Sequence, residues 1–227
     1  MSTNLLSLDV IAFLKSVDSP TLANAIEPFK VRDRTDGFIG GRIVCQFPEL
    51  DFMVGRALTV TMSNAPGEVA GRDGYWKMWD ALAAMEGPVV LAVQDVSGEP
   101  HRVAFAGEIM STLAQKLGAV GMVTDGAFRD VKEVRALGFH YFMKYPVVSH
   151  SNFWIESVGE PIELDGQQVV TGDILHGDAN GIVIVPDDVL TGLPEAVAKV
   201  RTSEQSTMEY IRSAEFEYPG FKTRSGY

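Results

Sequence analysis

The sequence predicts an α/β fold with a mixed sheet, and three observations carry that prediction. Between Pro88 and Pro146, short apolar runs alternate with helical patterns, which is typical of parallel strands joined by crossover helices. After residue 150, four short strand-like runs are separated by Asp-Gly, Thr-Gly and Asn-Gly turns, which favours hairpins. Helical apolar spacing marks both ends of the chain. No linker-like segment interrupts these patterns, so we expect a single domain over residues 1–227.

Composition narrows the class of protein. A chain of 227 residues with 46% hydrophobic and 22% charged residues has the size and make-up of a globular domain with a full core. Its net charge of −11 disfavours nucleic acid and anionic membranes as partners. Cys45 is the only cysteine, so an intrachain disulfide is excluded, and we expect a core thiol. With no membrane-length apolar run and no leader pattern, we expect a cytoplasmic protein.

The first third of the chain contains helices, an irregular connection and one long strand. Apolar spacing predicts a helix over residues 9–17, and Ser19-Pro20-Thr21 is typical of the start of a second helix. Residues 30–50 are rich in Arg, Asp and Gly, which predicts a connection with one short strand at Gly41–Gln46. Alternation with β-branched residues predicts a strand over Val54–Met62.

The turn Gly71-Arg72-Asp73-Gly74 introduces a helix that we expect to run to about Glu86. Five apolar side chains share one face of this helix: Tyr75, Met78, Trp79, Leu82 and Met85. Such spacing indicates a core-facing stripe, although Trp76 or Trp79 stacking on a cofactor is an alternative.

The remaining elements follow from buried runs, glycine stops and turn pairs. We expect strands at 89–95, 120–124 and 139–145, separated by helices at 107–117 and 131–137. The later strands are expected at 162–164, 168–170, 173–176 and 181–185, and a helix at 186–213. Residues 214–227 are expected to be irregular and ordered by a neighbouring subunit.

Two elements at carboxyl ends of the predicted parallel strands carry candidate functional residues, because ligands of parallel sheets bind at that edge. Gly107-Glu108-Ile109-Met110 opens a helix, whose free N–H groups suit a carboxylate or phosphate. Arg129-Asp130 follows the next strand, and these side chains suit a bidentate carboxylate clamp and a hard-cation ligand. The alternative is that Glu108 favours a helix start and that Arg129-Asp130 is a solvated cap.

Competing chemistries have weaker support in the sequence. The four histidines, His101, His140, His150 and His176, lack the spacing of a metal site. Lys144 between aromatic residues could form a Schiff base, but an edge-strand lysine is the favoured interpretation. No GxGxxG motif follows a strand, so the sequence offers no support for nucleotide binding.

The spacing of the two elements resembles that of a known family. Gly107-Glu108, twenty intervening residues and Arg129-Asp130 match the pattern of the 4-hydroxy-4-methyl-2-oxoglutarate aldolases, which are class II pyruvate aldolases. That family includes proteins resembling the regulator of ribonuclease activity A, often labelled demethylmenaquinone methyltransferase-like. Segments at 21–25, 54–60 and 171–186 also resemble it, and the resemblance covers roughly residues 17–205.

The resemblance implies an α-β-β-α sandwich of the swivelling-domain type, assembled as a homotrimer or homohexamer. It implies Mg²⁺ or Mn²⁺ bound by Asp130, with waters completing the shell. Arg129 would clamp the pyruvyl carboxylate and stabilise the enolate, and the amides of residues 107–110 would hold substrate oxygens. Glu108 would orient a water on the metal that shuttles the proton. The expected reaction is cleavage of a 4-hydroxy-2-oxo acid to pyruvate and a second oxo-acid, with oxaloacetate decarboxylation as a side activity.

In the family, an adjacent subunit supplies a further carboxylate from near its C-terminal helix. Glu204 is the candidate here and Glu209 the alternative, against the simpler interpretation of an exposed helical Glu. Two rival functions stay open. One is a non-catalytic regulator that binds a ribonuclease or helicase, which the presence of Asp130 disfavours. The other is a lyase on the same scaffold that acts on another oxo-acid or sugar acid.

Overall fold

The computed structural model describes residues 6–67 and 71–225, with the side chains of residues 224 and 225 left out. In this part of the chain there are seven α-helices: α1 (Leu8–Leu14), α2 (Ser19–Ile26), α3 (Asp73–Ala84), α4 (Glu108–Lys116), α5 (Val131–Ala136), α6 (Leu193–Arg212) and α7 (Tyr218–Ser225). Short 3₁₀ turns lie at Glu27–Phe29 and Asp187–Val189. None of the helices described is long and apolar enough to cross a membrane.

The same residues form twelve strands. The first seven are β1 (Val44–Cys45), β2 (Met53–Asn64), β3 (Val89–Asp95), β4 (Ala119–Thr124), β5 (Ala127–Phe128), β6 (His140–Met143) and β7 (Tyr145–Pro146). The other five are β8 (Phe153–Val158), β9 (Ile162–Leu164), β10 (Gln167–Val169), β11 (Ile174–Asp178) and β12 (Gly181–Val185).

A mixed sheet of eight strands organises the fold. Its order is β1-β6-β4-β3-β2-β11-β12, with β8 also paired to β2. The central strands β2, β3, β4 and β6 are parallel, and all other pairs in this sheet are antiparallel. β9 pairs with β10 and β5 with β7 in two small sheets. The mixed α/β class and the parallel β-α-β-α-β core predicted from the sequence are therefore confirmed.

The central strands are buried on both faces, as their continuous apolar runs predict. Leu91 and Val93 of β3 pack with α3, α4 and α5, whereas Val90 and Ala92 pack with the β9–β10 hairpin on the other face. A third cluster joins α1, α2 and α6 to β11 and β12. Because the sheet is covered on both faces, only its edges and strand ends are open to a ligand.

Several local predictions need correction. The tail was expected to be irregular, but Tyr218–Ser225 form α7, which the mixed polar and aromatic sequence did not reveal. The strand expected at Gly41–Gln46 shrinks to Val44–Cys45, because it pairs only with the end of β6. The helix expected from residue 186 begins as a 3₁₀ turn and becomes α-helical at Leu193. The predicted stripe of α3 is confirmed, with Met78, Trp79 and Leu82 buried.

Candidate active site

Gly107 is the residue around which the site is arranged. It precedes α4 with φ −138° and ψ −160°, an extended conformation open to any residue. Glycine is needed for space: a Cβ atom here would lie 2.3 Å from Asp130 Oδ2 and 2.9 Å from Arg129 Nε. The bare backbone at the start of α4 is therefore in close contact with both charged side chains.

Asp130 connects the two elements that the sequence predicted to face one pocket. It precedes α5 with a left-handed φ of 57°, a conformation that Asp tolerates better than most residues. Its side chain makes no capping bond to α5. Instead, Oδ2 accepts a hydrogen bond from the backbone N–H of Glu108 at 2.9 Å. Asp130 therefore does not cap its own helix, α5, but caps the first residue of α4.

Arg129 lies beside the contact between Asp130 and the Glu108 N–H. Its Nε lies 3.7 Å from Asp130 Oδ2, and its Nη1 donates to the carbonyl of Val148 at 3.4 Å. Its backbone N–H donates to Ala106 O at 2.9 Å, which fixes the start of the side chain. With 35% of the side chain exposed, the guanidinium fork is oriented and still accessible to a carboxylate.

Two buried hydroxyl groups beneath α4, those of Ser111 and Tyr141, form a hydrogen-bonded relay that ends on the carbonyl of Gly107. Ser111 Oγ donates to Gly107 O at 2.9 Å, so the Tyr141 hydroxyl, 2.6 Å from Ser111 Oγ, must donate to that oxygen. Burial raises the pKa of Tyr141 well above its usual value, and the negative charge of Asp130 adds to the effect. The phenol therefore stays neutral and serves as a fixed donor. The sequence did not single out either residue, since a polar residue on a helix and a strand tyrosine carry no local signal.

Gly107, Glu108, Arg129 and Asp130 line an open cavity of about 580 Å³, within the usual range of roughly 300–1,000 Å³ for small-molecule sites. The near wall consists of Ala104–Met110 with Arg129 and Asp130. The rest of the lining, called the far wall here, consists of Gly71, Arg72, Tyr75 and residues 150–154, and it meets the near wall where Phe153 packs against Phe105. Ile109 is 84% exposed at the mouth. His150, whose Nδ1 donates to Ser151 O at 2.7 Å, belongs to the far wall and was not predicted to be near the site.

The other sequence candidates lie elsewhere. Lys144 does not line the cavity, and its Nζ is 3.9 Å from Asp165 Oδ1. Glu204 is exposed on α6, where it accepts from Asn24 Nδ2 at 3.4 Å, outside the cavity of its own chain. Trp79 is buried in the core and Trp76 is 57% exposed, and neither lines the cavity. A contribution of Glu204 or Glu209 to a neighbouring copy stays a prediction.

The oxygen donors of the cavity suit a hard cation that is held by one protein carboxylate. Among the described residues, no three His, Cys, Asp or Glu side chains converge as a metal site. A cation here would therefore depend on the Asp130 carboxylate, whose Oδ2 is engaged by Glu108 N–H and whose Oδ1 can face a ligand. One carboxylate completed by water is a common arrangement for Mg²⁺. The residues present thus fit a divalent cation.

A second carboxylate, that of Asp125 directly after β4, makes the free energy of unfolding depend on pH in a way that can be tested. Asp125 Oδ1 accepts the N–H of Asp95 at 2.8 Å. The pKa of Asp125 is raised from 3.8 to about 6, mainly by burial; the charge of Asp95 acts in the same direction, while the Asp95 amide and Lys144 oppose the shift. Because the folded state holds this proton more tightly than the unfolded state, the contribution to stability is present at low pH. It is lost as the pH rises from about 4 to about 6.

We therefore expect Asp125→Asn to be more stable than the wild type at pH 8, by about 1–3 kcal/mol, and nearly equal at pH 4. The amide keeps the acceptor for Asp95 N–H and removes the buried charge. Urea unfolding at both pH values measures the difference, with exposed Asp80→Asn on α3 as the matched control. An Asn variant no more stable than the wild type at pH 8 would contradict this account.

The mixed α/β fold described above is shared with a known protein family. The chain matches the family model described as RraA-like, Aldolase/RraA, over residues 14–184. It belongs to this family.

Individual relatives agree with the family assignment. A protein of Halalkalibacterium halodurans, provisionally named 4-hydroxy-4-methyl-2-oxoglutarate aldolase, is 33% identical over 139 residues, or 61% of each chain. The chain thus spans about three fifths of this curated relative. Among solved structures, an uncharacterized protein of Pseudomonas syringae pv. tomato superposes with a TM-score of 0.76 at 20% identity, covering 100% of this chain and 98% of that one. Streptomyces coelicolor RraAS2, described as an unusual member of the RNase ES inhibitor RraA family, gives 0.67 at 21% identity, with 88% and 94% covered. At such identities the two structures show the shared fold alone.

Proposed function

We propose that this protein is a divalent-metal-dependent aldolase that cleaves a 4-hydroxy-2-oxo acid to pyruvate and a second oxo-acid. The observation that carries the proposal is the bond from Glu108 N–H to Asp130 Oδ2. It brings a carboxylate, a helix N-terminus and the Arg129 fork to one cavity. The name of the Halalkalibacterium halodurans relative supports the same chemistry.

Mg²⁺ or Mn²⁺ on Asp130 would polarise the oxo group of the substrate and spread the charge of the enolate. The other groups belong to the chain itself. Arg129 binds the carboxylate next to the oxo group through its planar fork of donors. The amides of Gly107, Ile109 and Met110 at the start of α4 would face the developing negative charge, whereas the Glu108 N–H donates to Asp130.

Glu108 is the proposed proton carrier. Acting through a water molecule, it accepts the proton of the substrate's C4 hydroxyl while the C3–C4 bond breaks. The electron pair of that bond passes into the pyruvate enolate, and the second oxo-acid leaves with its new carbonyl group. Glu108 then returns the proton to C3, which gives pyruvate. Oxaloacetate would lose CO₂ to reach the same enolate, hence the proposed side activity.

We also propose that the working form is a trimer or hexamer. Large apolar side chains near the cavity are open to solvent in the single chain: Ile109 at 84%, Val148 at 91% and Trp76 at 57%. A neighbouring copy would cover them, and its Glu204 or Glu209 would then reach the site.

A coupled assay of pyruvate release tests the proposal. Purified protein is given 4-hydroxy-4-methyl-2-oxoglutarate or oxaloacetate with Mg²⁺, with Mn²⁺ or with a chelator. Release that stops with chelator and returns with metal is expected. No release from either substrate would favour the rival function, a non-catalytic regulator, over the aldolase.

Arg129→Lys is expected to lower kcat/KM for pyruvate release by about 100-fold, because a point charge cannot replace a bidentate fork. The matched control is Arg135→Lys on α5, where the guanidinium pairs with exposed Glu49 away from the cavity. It should stay near the wild-type rate. Wild-type turnover in Arg129→Lys would argue against the clamp.

A further inference from the structure

His150 on the far wall presents a hydrogen-bond acceptor that the reaction described above does not use. Its Nδ1 lies 2.7 Å from the carbonyl oxygen of Ser151. A carbonyl oxygen can only accept a hydrogen bond, so Nδ1 carries the hydrogen and the neutral ring holds its lone pair on Nε2. Because His150 also lines the cavity, the backbone fixes the tautomer that offers a bound ligand an acceptor nitrogen.

The loop that carries His150 is tied to the near wall. The N–H of Ala104 donates to Ser149 O at 2.8 Å, and Arg129 Nη1 donates to Val148 O at 3.4 Å. His150 follows Ser149 directly, so its Cα lies no more than about 7 Å from that of Val148. This distance is comparable with the length of a six-carbon acid. A substrate whose carboxylate is held by Arg129 can therefore reach His150 with its other end.

The same loop is also fixed on its other side. The backbone N–H of Asn152 donates to Asn64 Oδ1 at 3.1 Å, and its Nδ2 donates to Gly67 O at 2.7 Å. Ser151, between His150 and Asn152, has a left-handed φ of 46°, which is uncommon for a residue with a Cβ atom. Such conformations persist where the surroundings fix them, and they cluster at ligand sites. The loop thus holds the backbone of His150 in one position.

The chemistry of Nε2 decides what it can bind. Carboxylate and phosphate oxygens present lone pairs, which an acceptor nitrogen repels. Among the described residues no three His, Cys, Asp or Glu side chains converge, so His150 does not belong to a multi-ligand metal site there. An ammonium group would be repelled by Arg72 and Arg129, which line the same cavity. A hydroxyl group, which is a neutral donor, fits this position.

We propose that His150 accepts a hydrogen bond from a hydroxyl group on C5 of the substrate and so selects 4,5-dihydroxy-2-oxo acids. The hydroxyl on C4 is assigned to Glu108, which takes its proton during cleavage. The inference rests on the proposed aldolase function for this assignment, and it adds a substrate class to that function. Cleavage of the C3–C4 bond would then release pyruvate and an oxo-acid whose hydroxyl, unchanged, lies next to the new carbonyl group.

The kinetic test compares two diacids that differ by one hydroxyl group, 4,5-dihydroxy-2-oxohexanedioate and 4-hydroxy-2-oxohexanedioate. His150→Asn suits the test, because the Asn amide can still donate to Ser151 O while nothing replaces Nε2. It should lower kcat/KM for the dihydroxy acid by about 10-fold, since the C5 hydroxyl loses its acceptor, and that for the monohydroxy acid by less than about 3-fold. His101→Asn, at an exposed position outside the cavity, is the matched control and should resemble the wild type. Equal losses on both acids in His150→Asn would overturn the inference.

A binding measurement separates failure of this inference from failure of the proposed function. 2-Oxohexanedioate and its 5-hydroxy derivative lack the C4 hydroxyl and cannot be cleaved, so calorimetry with the Mg²⁺-loaded protein needs no turnover. We expect the wild type and His101→Asn to bind the 5-hydroxy acid about 10-fold more tightly, and His150→Asn to lose that preference. A wild type that shows this pattern without any turnover would refute the aldolase and retain the hydroxyl site. A wild type without the preference, or a His150→Asn variant that keeps it or loses both ligands equally, overturns the hydroxyl site.

Discussion

Asp130→Asn is expected to reduce metal-dependent pyruvate release by about 1,000-fold or more, because it removes the carboxylate proposed to bind the cation. Asn is the most informative substitution at this position, because it removes the charge and little else. It matches Asp in size, tolerates the left-handed φ of 57°, and can still accept the N–H of Glu108. The fold and the unfolding midpoint should therefore stay close to those of the wild type. Steady-state pyruvate release at saturating Mg²⁺ measures the effect.

The control for Asp130→Asn is Glu133→Gln, which removes an exposed carboxylate in the first turn of α5 outside the cavity. It should retain the wild-type rate. Metal-dependent release at the wild-type rate in Asp130→Asn would refute the role of Asp130. Loss in both variants would point to a general effect of charge on α5.

Gly107→Ala is expected to lower pyruvate release by about 100-fold or more with only a modest change in stability. The added methyl group would lie 2.3 Å from Asp130 Oδ2, so the carboxylate must rotate away from Glu108 N–H. Arg129, whose Nε and Cγ would lie 2.9 and 3.0 Å from the same atom, must also shift. Displacement of reacting groups by about 1 Å commonly costs this much rate. The backbone itself is unstrained by alanine, because its conformation is extended.

Pyruvate release and thermal unfolding, measured together, separate the two effects in Gly107→Ala. Gly41→Ala is the matched control, since a Cβ atom there meets nothing within 4 Å and the residue lies outside the cavity. It should keep both activity and stability. A Gly107→Ala variant with full activity would show that the close contact with Asp130 and Arg129 is dispensable.

The near wall of the site could be predicted from the sequence because its residues lie at two strand-to-helix junctions. The parallel order of β3 and β4 follows from the run of apolar segments and helices, and it places residues 107–110 beside 129–130. The close approach of Gly107 to Asp130 was not predictable. It depends on how α4 and α5 are seated, which local patterns do not specify.

The far wall shows where sequence reasoning fails. Arg72 was assigned only to a turn, and His150 was one of several histidines without a motif. They reach the cavity because α3 packs on β8, a strand the sequence pattern did not reveal. The relay from Tyr141 through Ser111 was equally invisible, because it joins a strand and a helix that are 30 residues apart. Contacts of this kind follow from packing rather than from spacing.

Binding of Mn²⁺ is the most direct test of the central claim that Asp130 holds a catalytic cation. Free Mn²⁺ is followed by electron paramagnetic resonance as wild-type protein and Asp130→Asn are titrated in the presence of oxalate, a mimic of the enolate. The account predicts one saturable site per chain in the wild type, lost in Asp130→Asn and retained in Glu133→Gln. Equal Mn²⁺ binding by wild type and Asp130→Asn would contradict it.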